Sequence, residues 1–357
     1  MRWTRPRLLL VAAGLGLCVL GLTFLSLRHG WSRTFSASET LRGLGAAAGL
    51  GAELEEANGQ TILELRLWRA LVAIAVGGGL ALAGGLLQGL FRNGLASPSV
   101  VGVTAGSVLG ASIAIALLGG YGAELVPRDS VLFTPALVTG CAWGGAMLVT
   151  WTVVSLASSG RRLSVPTLLL AGIAMNTVVG GVLAALQSFT LRDAEVSRAI
   201  LAWTFGTLED RSRPQVFLAL LGLVLGCCTV PFVRRELDLL ATGEEDALAL
   251  GVPVQRTKAL VLGTAAFVTA CAVSVAGQIP FVGLVVPHVV RGLFGRAHGA
   301  VLPLSVLLGA ALLLGCDLLQ TTTLSGMGLR PGVLMSLLGG PFFLLLLLRN
   351  RAKWSAW

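Results

Sequence analysis

The charges of this chain of 357 residues divide it into nine long stretches without a single Asp, Glu, Lys or Arg, and that pattern decides its fold class. The windows are 8–27, 70–91, 93–123, 130–160, 163–191, 214–233, 259–290, 297–316 and 331–348. Crossing roughly 30 Å of hydrocarbon takes about 20 apolar residues in a helix. So many windows leave too little polar chain to cover a water-soluble surface: 55% of residues are hydrophobic and 12% charged, half the charged share of a soluble domain. Disorder is excluded on the same ground, since disordered segments are poor in apolar side chains. The expected fold is an all-α polytopic membrane protein, one transmembrane unit over 1–357.

The window 259–290 holds a turn signal, Gly277-Gln278-Ile279-Pro280, and so reads as a full span followed by a short helix from Phe281. Ten spans result, near 8–27, 70–91, 97–118, 131–155, 165–188, 214–233, 259–276, 281–296, 300–316 and 331–348. The first follows Arg2, Arg5 and Arg7, and no small-x-small site closes it before Arg28. It reads as an uncleaved span with the N-terminus inside. With both termini cytoplasmic, the inner segments hold 15 basic and five acidic residues, and the outer ones 11 and 12. That asymmetry follows the positive-inside tendency.

The net charge of +9 does not point to nucleic acid, because the basic residues sit singly or in pairs between apolar windows. The six cysteines lie within apolar stretches and form no CxxC pair, which indicates neither a metal site nor a disulfide framework. Small residues recur at four-residue spacing, Gly77, Ala81, Gly85 and Gly89 on one helical face and Gly102, Gly106 and Gly110 on another. Such stripes let helices approach closely in lipid.

Chemical machinery is missing. There is no phosphate-binding loop, no HExxH and no GxSxG, and the histidines His29, His288 and His298 are scattered. No catalytic residue, metal site or cofactor is expected, so uphill movement must draw its energy from a partner. Asp317 abuts an apolar window without a basic neighbour and is expected to be a structural residue at a helix end. Ion-coupled carriers place ionisable groups near mid-bilayer, and their scarcity here leaves secondary transport as the alternative reading.

The inner loop between spans six and seven holds a short helix, 243–250. Thr242 with Glu245 reads as a capping box, Glu244, Glu245 and Asp246 suit the positive end of the helix dipole, and Gly251 with Pro253 closes the helix. Ala247, Leu248 and Leu250 form an expected apolar side.

Five segments carry a resemblance. Arg66-Leu67-Trp68-Arg69, Gly85 to Pro98, Leu201 to Leu208, Gly243 to Gly251 and Ala276 to Arg291 occur in an order and spacing similar to the permease subunits of bacterial ATP-binding-cassette importers for iron-siderophores, haem and cobalamin, the FecCD-type permeases. The resemblance implies a ten-helix protomer in the inner membrane, paired with a second permease copy (a homodimer) around a central pathway. ATP-binding-cassette ATPase subunits would sit inside and an extracytoplasmic substrate-binding protein outside. It further implies ATPase coupling through Thr242, Gly243, Glu244, Glu245, Ala247, Leu248, Leu250 and Gly251. Arg66 and Arg69 would dock the binding protein, and Gln88, Asn93 and Leu95 would line the pathway at its inner gate. Some positions depart from the family pattern: Trp68 and Gly94 replace prolines, no arginine follows Asp317, and Leu329-Arg330-Pro331 stands where Glu-Leu-Pro is common.

Overall fold

The computed structural model describes residues 5–30, 33–50, 54, 58–119, 133–159, 162–209, 211–324 and 327–349. Within them the chain forms thirteen α-helices: α1 (Arg5–Arg28), α2 (Ala37–Ala47), α3 (Gly59–Leu90), α4 (Val103–Leu117), α5 (Phe133–Ala157), α6 (Val165–Thr190), α7 (Ala194–Thr204), α8 (Arg213–Leu240), α9 (Glu244–Ala249), α10 (Val254–Ala276), α11 (Val282–Phe294), α12 (His298–Thr322) and α13 (Pro331–Arg349). A 3-10 turn, Pro98–Val101, leads into α4, and two-residue strands β1 (Ser158–Ser159) and β2 (Arg162–Leu163) pair antiparallel between α5 and α6. The fold is all-α, and each of the ten expected spans is occupied by a helix. Seven helices are long and apolar enough to cross a membrane, and α4, α11 and α13 are shorter apolar helices.

The spine is α3. It is 32 residues long, about 48 Å at 1.5 Å per residue, and it packs against α12, α10, α8, α11 and α1. Both small-residue stripes are seams. On α3, a Cβ at Gly77 would strike the Gly309 carbonyl of α12, and one at Gly84 would strike the Gly283 carbonyl of α11. Gly106 and Gly110 of α4 face the carbonyls of Gly145 and Cys141 on α5 in the same way. Backbones touch where side chains would hold them apart, which is how lipid-embedded helices gain close packing.

Buried apolar side chains form two main tiers along α3. One gathers Val72, Val76, Ile200, Trp203, Leu208, Val216 and Leu313; the other gathers Leu86, Leu87, Val153, Leu168, Leu237, Val261 and Leu302. The first tier lies toward the end of the molecule that carries α2 and α7, the second toward the end that carries β1–β2 and α9. Polar side chains secure the helix ends. Ser36 and Glu39 form a capping box on α2, Asp193 caps α7, and Ser212 with Gln215 caps α8. Asp238 of α8 accepts both the His298 backbone N–H (2.8 Å) and its Nδ1 (2.7 Å), capping α12 from a neighbouring helix.

The turn signal at 277–280 behaves as read from sequence. Gly277 ends α10 with φ of 73°, in a space where a Cβ would meet the Trp203 carbonyl. Phe281 then opens α11 at φ of 67°, an uncommon conformation for a bulky residue. Its ring lies against Gly339 and Gly340 of α13, which leave room for it.

Candidate functional site

Three places gather the residues singled out above. At one end, the α8–α10 loop builds α9. Gly243 has φ of 144° and ψ of 154°, a geometry suited to glycine, and serves as the N-cap without a side-chain hydrogen bond. The expected capping box between Thr242 and Glu245 is not formed. Thr242 lies one position too early, and its hydroxyl donates to the Leu239 carbonyl (2.8 Å) at the end of α8. Glu244, Glu245 and Asp246 fill the first turn, where the helix dipole favours them. Gly251 (φ 82°) donates to the Leu248 carbonyl and Val252 to the Ala247 carbonyl, the paired bonds of a Schellman end.

The apolar side of α9 is divided. Ala247 is fully buried in the protein's own second tier and braces the helix, which corrects its expected place on a partner-facing side. Leu248 and Leu250, 58% and 63% exposed, point outward beside Glu245. The opposite flank is held by Glu244, whose Oε1 accepts from Lys258 Nζ at 2.6 Å.

At the other end, Arg66 and Arg69 are engaged within the chain. Arg66 Nη1 donates to the carbonyls of Leu27 (2.9 Å) and Arg28 (3.2 Å), Nη2 donates to that of Arg33 (2.6 Å), and the guanidinium lies over the Phe35 ring. It staples the chain leaving α1 onto α3. Arg69 Nε donates to both carboxylate oxygens of Asp317 (2.9 and 3.0 Å), Nη2 to Oδ1 (2.8 Å), and Nη1 to Glu209 Oε1 (3.2 Å). Both arginines spend donors on carbonyls and carboxylates of this chain. One expectation is corrected. Asp317 is not at a helix end: α12 runs on to Thr322, and the carboxylate is 0% exposed.

The third group diverges. Gln88 is buried between α3 and α11, its Nε2 donating to the Leu284 carbonyl (3.1 Å) and its Oε1 accepting from the Arg291 guanidinium. Arg291 also donates to the Gly85 carbonyl (3.1 Å). Gln88 therefore ties two helices. Asn93 is exposed, and its Oδ1 accepts the Leu95 N–H (2.9 Å), turning the chain out of α3 beside the half-exposed Leu95.

Lys258, Gln255 and Glu209 were not singled out by sequence, although each holds two elements together. The available signal was composition: Lys258 is one of only two lysines beside 24 arginines, and it stands at the start of an apolar window.

The apolar spans, the close small-residue seams and the exposed two-leucine helix at one end define a membrane-spanning helical bundle with a surface helix. The match to the FecCD transport family runs over residues 9–349, and the chain belongs to that family of ABC importer permeases. It is 40% identical over 283 residues to the cobalamin import system permease protein of Halobacterium salinarum, covering 79% of this chain and 72% of that one. It is 35% identical over 294 residues to the hemin transport system permease protein of Yersinia pestis, covering 82% and 84%. Its fold matches a solved metal-chelate type ABC transporter in an inward-facing conformation with a TM-score of 0.79 and 27% identity, over 95% of this chain and 99% of that one. Secondary transport is not favoured by these likenesses. Permeases of this kind work with ATPase and substrate-binding partners.

Proposed function

We propose that this chain carries an iron-siderophore, haem or cobalamin-type chelate inward across the bacterial inner membrane, without catalysis or a cofactor of its own. Two copies would pair around a central path, with both termini in the cytoplasm and ten crossings per copy. ATPase subunits would dock on α9, the β1–β2 end then being cytoplasmic, and a substrate-binding protein would dock on the α2–α7 end. Asn93 and Leu95 would stand at the inner mouth.

The observation that carries the reading is α9. A six-residue helix is marginal alone, yet it is closed by a Schellman end, braced through Ala247 and pinned through Glu244, while Leu248 and Leu250 are left in the open. Such an arrangement suits a rigid knob for a groove on another protein. Because Arg66 and Arg69 spend donors within the chain, other residues of the α2–α7 end are favoured for the main contact with the binding protein. The test is co-purification with the ATPase followed by ATP-driven uptake in liposomes. Leu248→Asp should abolish uptake and weaken ATPase retention while membrane insertion persists. Undiminished uptake would refute the reading.

A further inference from the structure

The turn between α5 and α6 is gripped from both sides by α10. The Leu163 N–H donates to Gln255 Oε1 (2.9 Å), and the Leu163 carbonyl accepts from Lys258 Nζ (3.3 Å). Lys258 lies one turn into α10 with its side chain 4% exposed, and the same ammonium holds Glu244 of α9 at 2.6 Å. One buried cation thus joins three elements: the helix with the exposed leucines, the start of α10 and the strand that leads into α6. A buried ammonium is costly without partners, so its place is defined by the carboxylate and the carbonyl together. Below this clamp, Ser164 caps α6 (Thr167 N–H to Ser164 Oγ, 3.4 Å), so no slack residue separates Leu163 from the helix. Only 17% of the most apolar window of α6 is buried within the chain, against 89% for α3. The contacts of α6 with its own chain lie along one side, on α4, α5 and the 3-10 turn, and the rest of its apolar surface is left outside the chain.

We infer that Lys258 is a positioning residue that makes α9 and the N-terminal end of α6 move as one body, so that a displacement of α9 is delivered to α6. Nothing in the family likeness assigns a role to this lysine. The inference rests on the reading of α9 as the ATPase-coupling helix, and it adds where the push goes next. The ion pair and the carbonyl bond form a bridge from α9 to β2, and the Gln255 bond locks β2 to the same turn of α10. Methionine at 258 has similar length and no charge, and would break the bridge while leaving Leu248, Leu250 and the α9 caps in place. Arginine would restore a cation able to reach both acceptors.

The test uses the permease with its ATPase subunit and binding protein in liposomes, cysteine-free apart from spin labels at the exposed positions Ala249 of α9 and Thr167 of α6. In the unmodified sequence the Ala249–Thr167 separation should be narrow and unchanged on adding ATP, because both ends move together. Lys258→Met should broaden it and make it ATP-dependent, with ATP-driven uptake of cyanocobalamin or haemin falling roughly tenfold while ATPase retention holds within about twofold. Lys258→Arg should restore the narrow separation, which a lesion confined to folding would not do on recovery of expression alone. Should Lys258→Met fail to insert, Gln255→Leu at a half-exposed position gives the second reading, a smaller broadening of the same kind. A narrow, ATP-independent separation in both Lys258→Met and Gln255→Leu would overturn the inference. Loss of the ATPase from the unmodified complex would instead overturn the coupling reading of α9.

Discussion

Replacing one partner of the Arg69–Asp317 pair while leaving the other should be among the costliest single changes in the molecule. The Asp317 carboxylate is 0% exposed and the Arg69 side chain 14%, and three donor–acceptor distances between them fall at 2.8–3.0 Å. Breaking a buried pair by removing one member costs about 3–5 kcal/mol, because the remaining charge has lost both water and its counter-ion. The two single variants should not cost the same. Asp317→Leu leaves Arg69 with Glu209, half-exposed at 3.2 Å, so the loss should sit near the lower end of that range. Arg69→Met leaves a fully buried carboxylate with no cation near it and should sit near the upper end, or force the carboxyl to take up a proton. The double variant Arg69→Met/Asp317→Leu removes both charges and fills the space with apolar atoms, which is often close to neutral. Subtracting the double change from the summed single changes should therefore leave a coupling of at least about 3 kcal/mol, near a hundredfold in the folding equilibrium. Reversible unfolding in mixed micelles of dodecylmaltoside and dodecyl sulfate reads all four proteins. Single variants that each cost under about 1 kcal/mol and combine additively would refute the view that this pair locks α3 to α12.

Other outcomes follow from the same geometry. Arg66→Met should loosen the α1–α2 segment, seen as faster amide exchange around Leu27 to Arg33, with affinity for a binding protein changed by less than about threefold, since its donors are used inside the chain. Gly84→Ala should destabilise by about 1–3 kcal/mol or block insertion, whereas Gly140→Ala on α5, with nothing within 4 Å, should be neutral or slightly stabilising; thermal midpoints of both variants give the comparison. Single cysteines at Ser38 and Thr242 in a cysteine-free chain should label from opposite faces of intact cells, and labelling from one face would overturn the ten-crossing topology.

How much of this was legible in the sequence follows from what each feature depends on. Helix positions depend on runs of apolar residues, which are local, so the windows locate ten helices and the Gly277 turn separates α10 from α11 as read. The amphipathic α2 and α7 carry caps at Ser36 and Asp193 but no long apolar run, and a count of windows passes over them. The α9 helix is local as well, and its ends fall within one residue of 243–250. Its N-cap misleads because Ser/Thr-x-x-Glu spacing does not say whether the hydroxyl has a better acceptor, and here the Leu239 carbonyl takes it. Arg66, Arg69 and Gln88 were legible as residues of interest, but the bonds they make within the chain were not. Their partners lie on other helices, as far as 248 residues away for Arg69 and Asp317, and no periodicity reports such pairing.

The distribution of polar links gives a physical account of how an engine at one end could work a path through a bundle this rigid. At the α2–α7 end, α3 and α12 are locked by a buried bidentate pair, and along the spine they meet backbone to backbone at Gly77 and Gly309. Close-packed seams transmit displacement with little compliance. At the α9 end, Gln88–Arg291 ties α3 to α11 and Asp238–His298 ties α8 to α12, while α6 is tied to α10 through the Leu163 clamp and packs on α4, α5 and the 3-10 turn, with Asn176 donating to the Ser99 carbonyl (2.9 Å). Of the long apolar helices other than α1, α6 has the smallest share of its apolar window buried in its own chain. On the proposed coupling through α9, a force there would meet a stiff core on one side and, on the other, a helix with most of its apolar window left outside its own chain, the surface available to a second protomer or to the path between two copies.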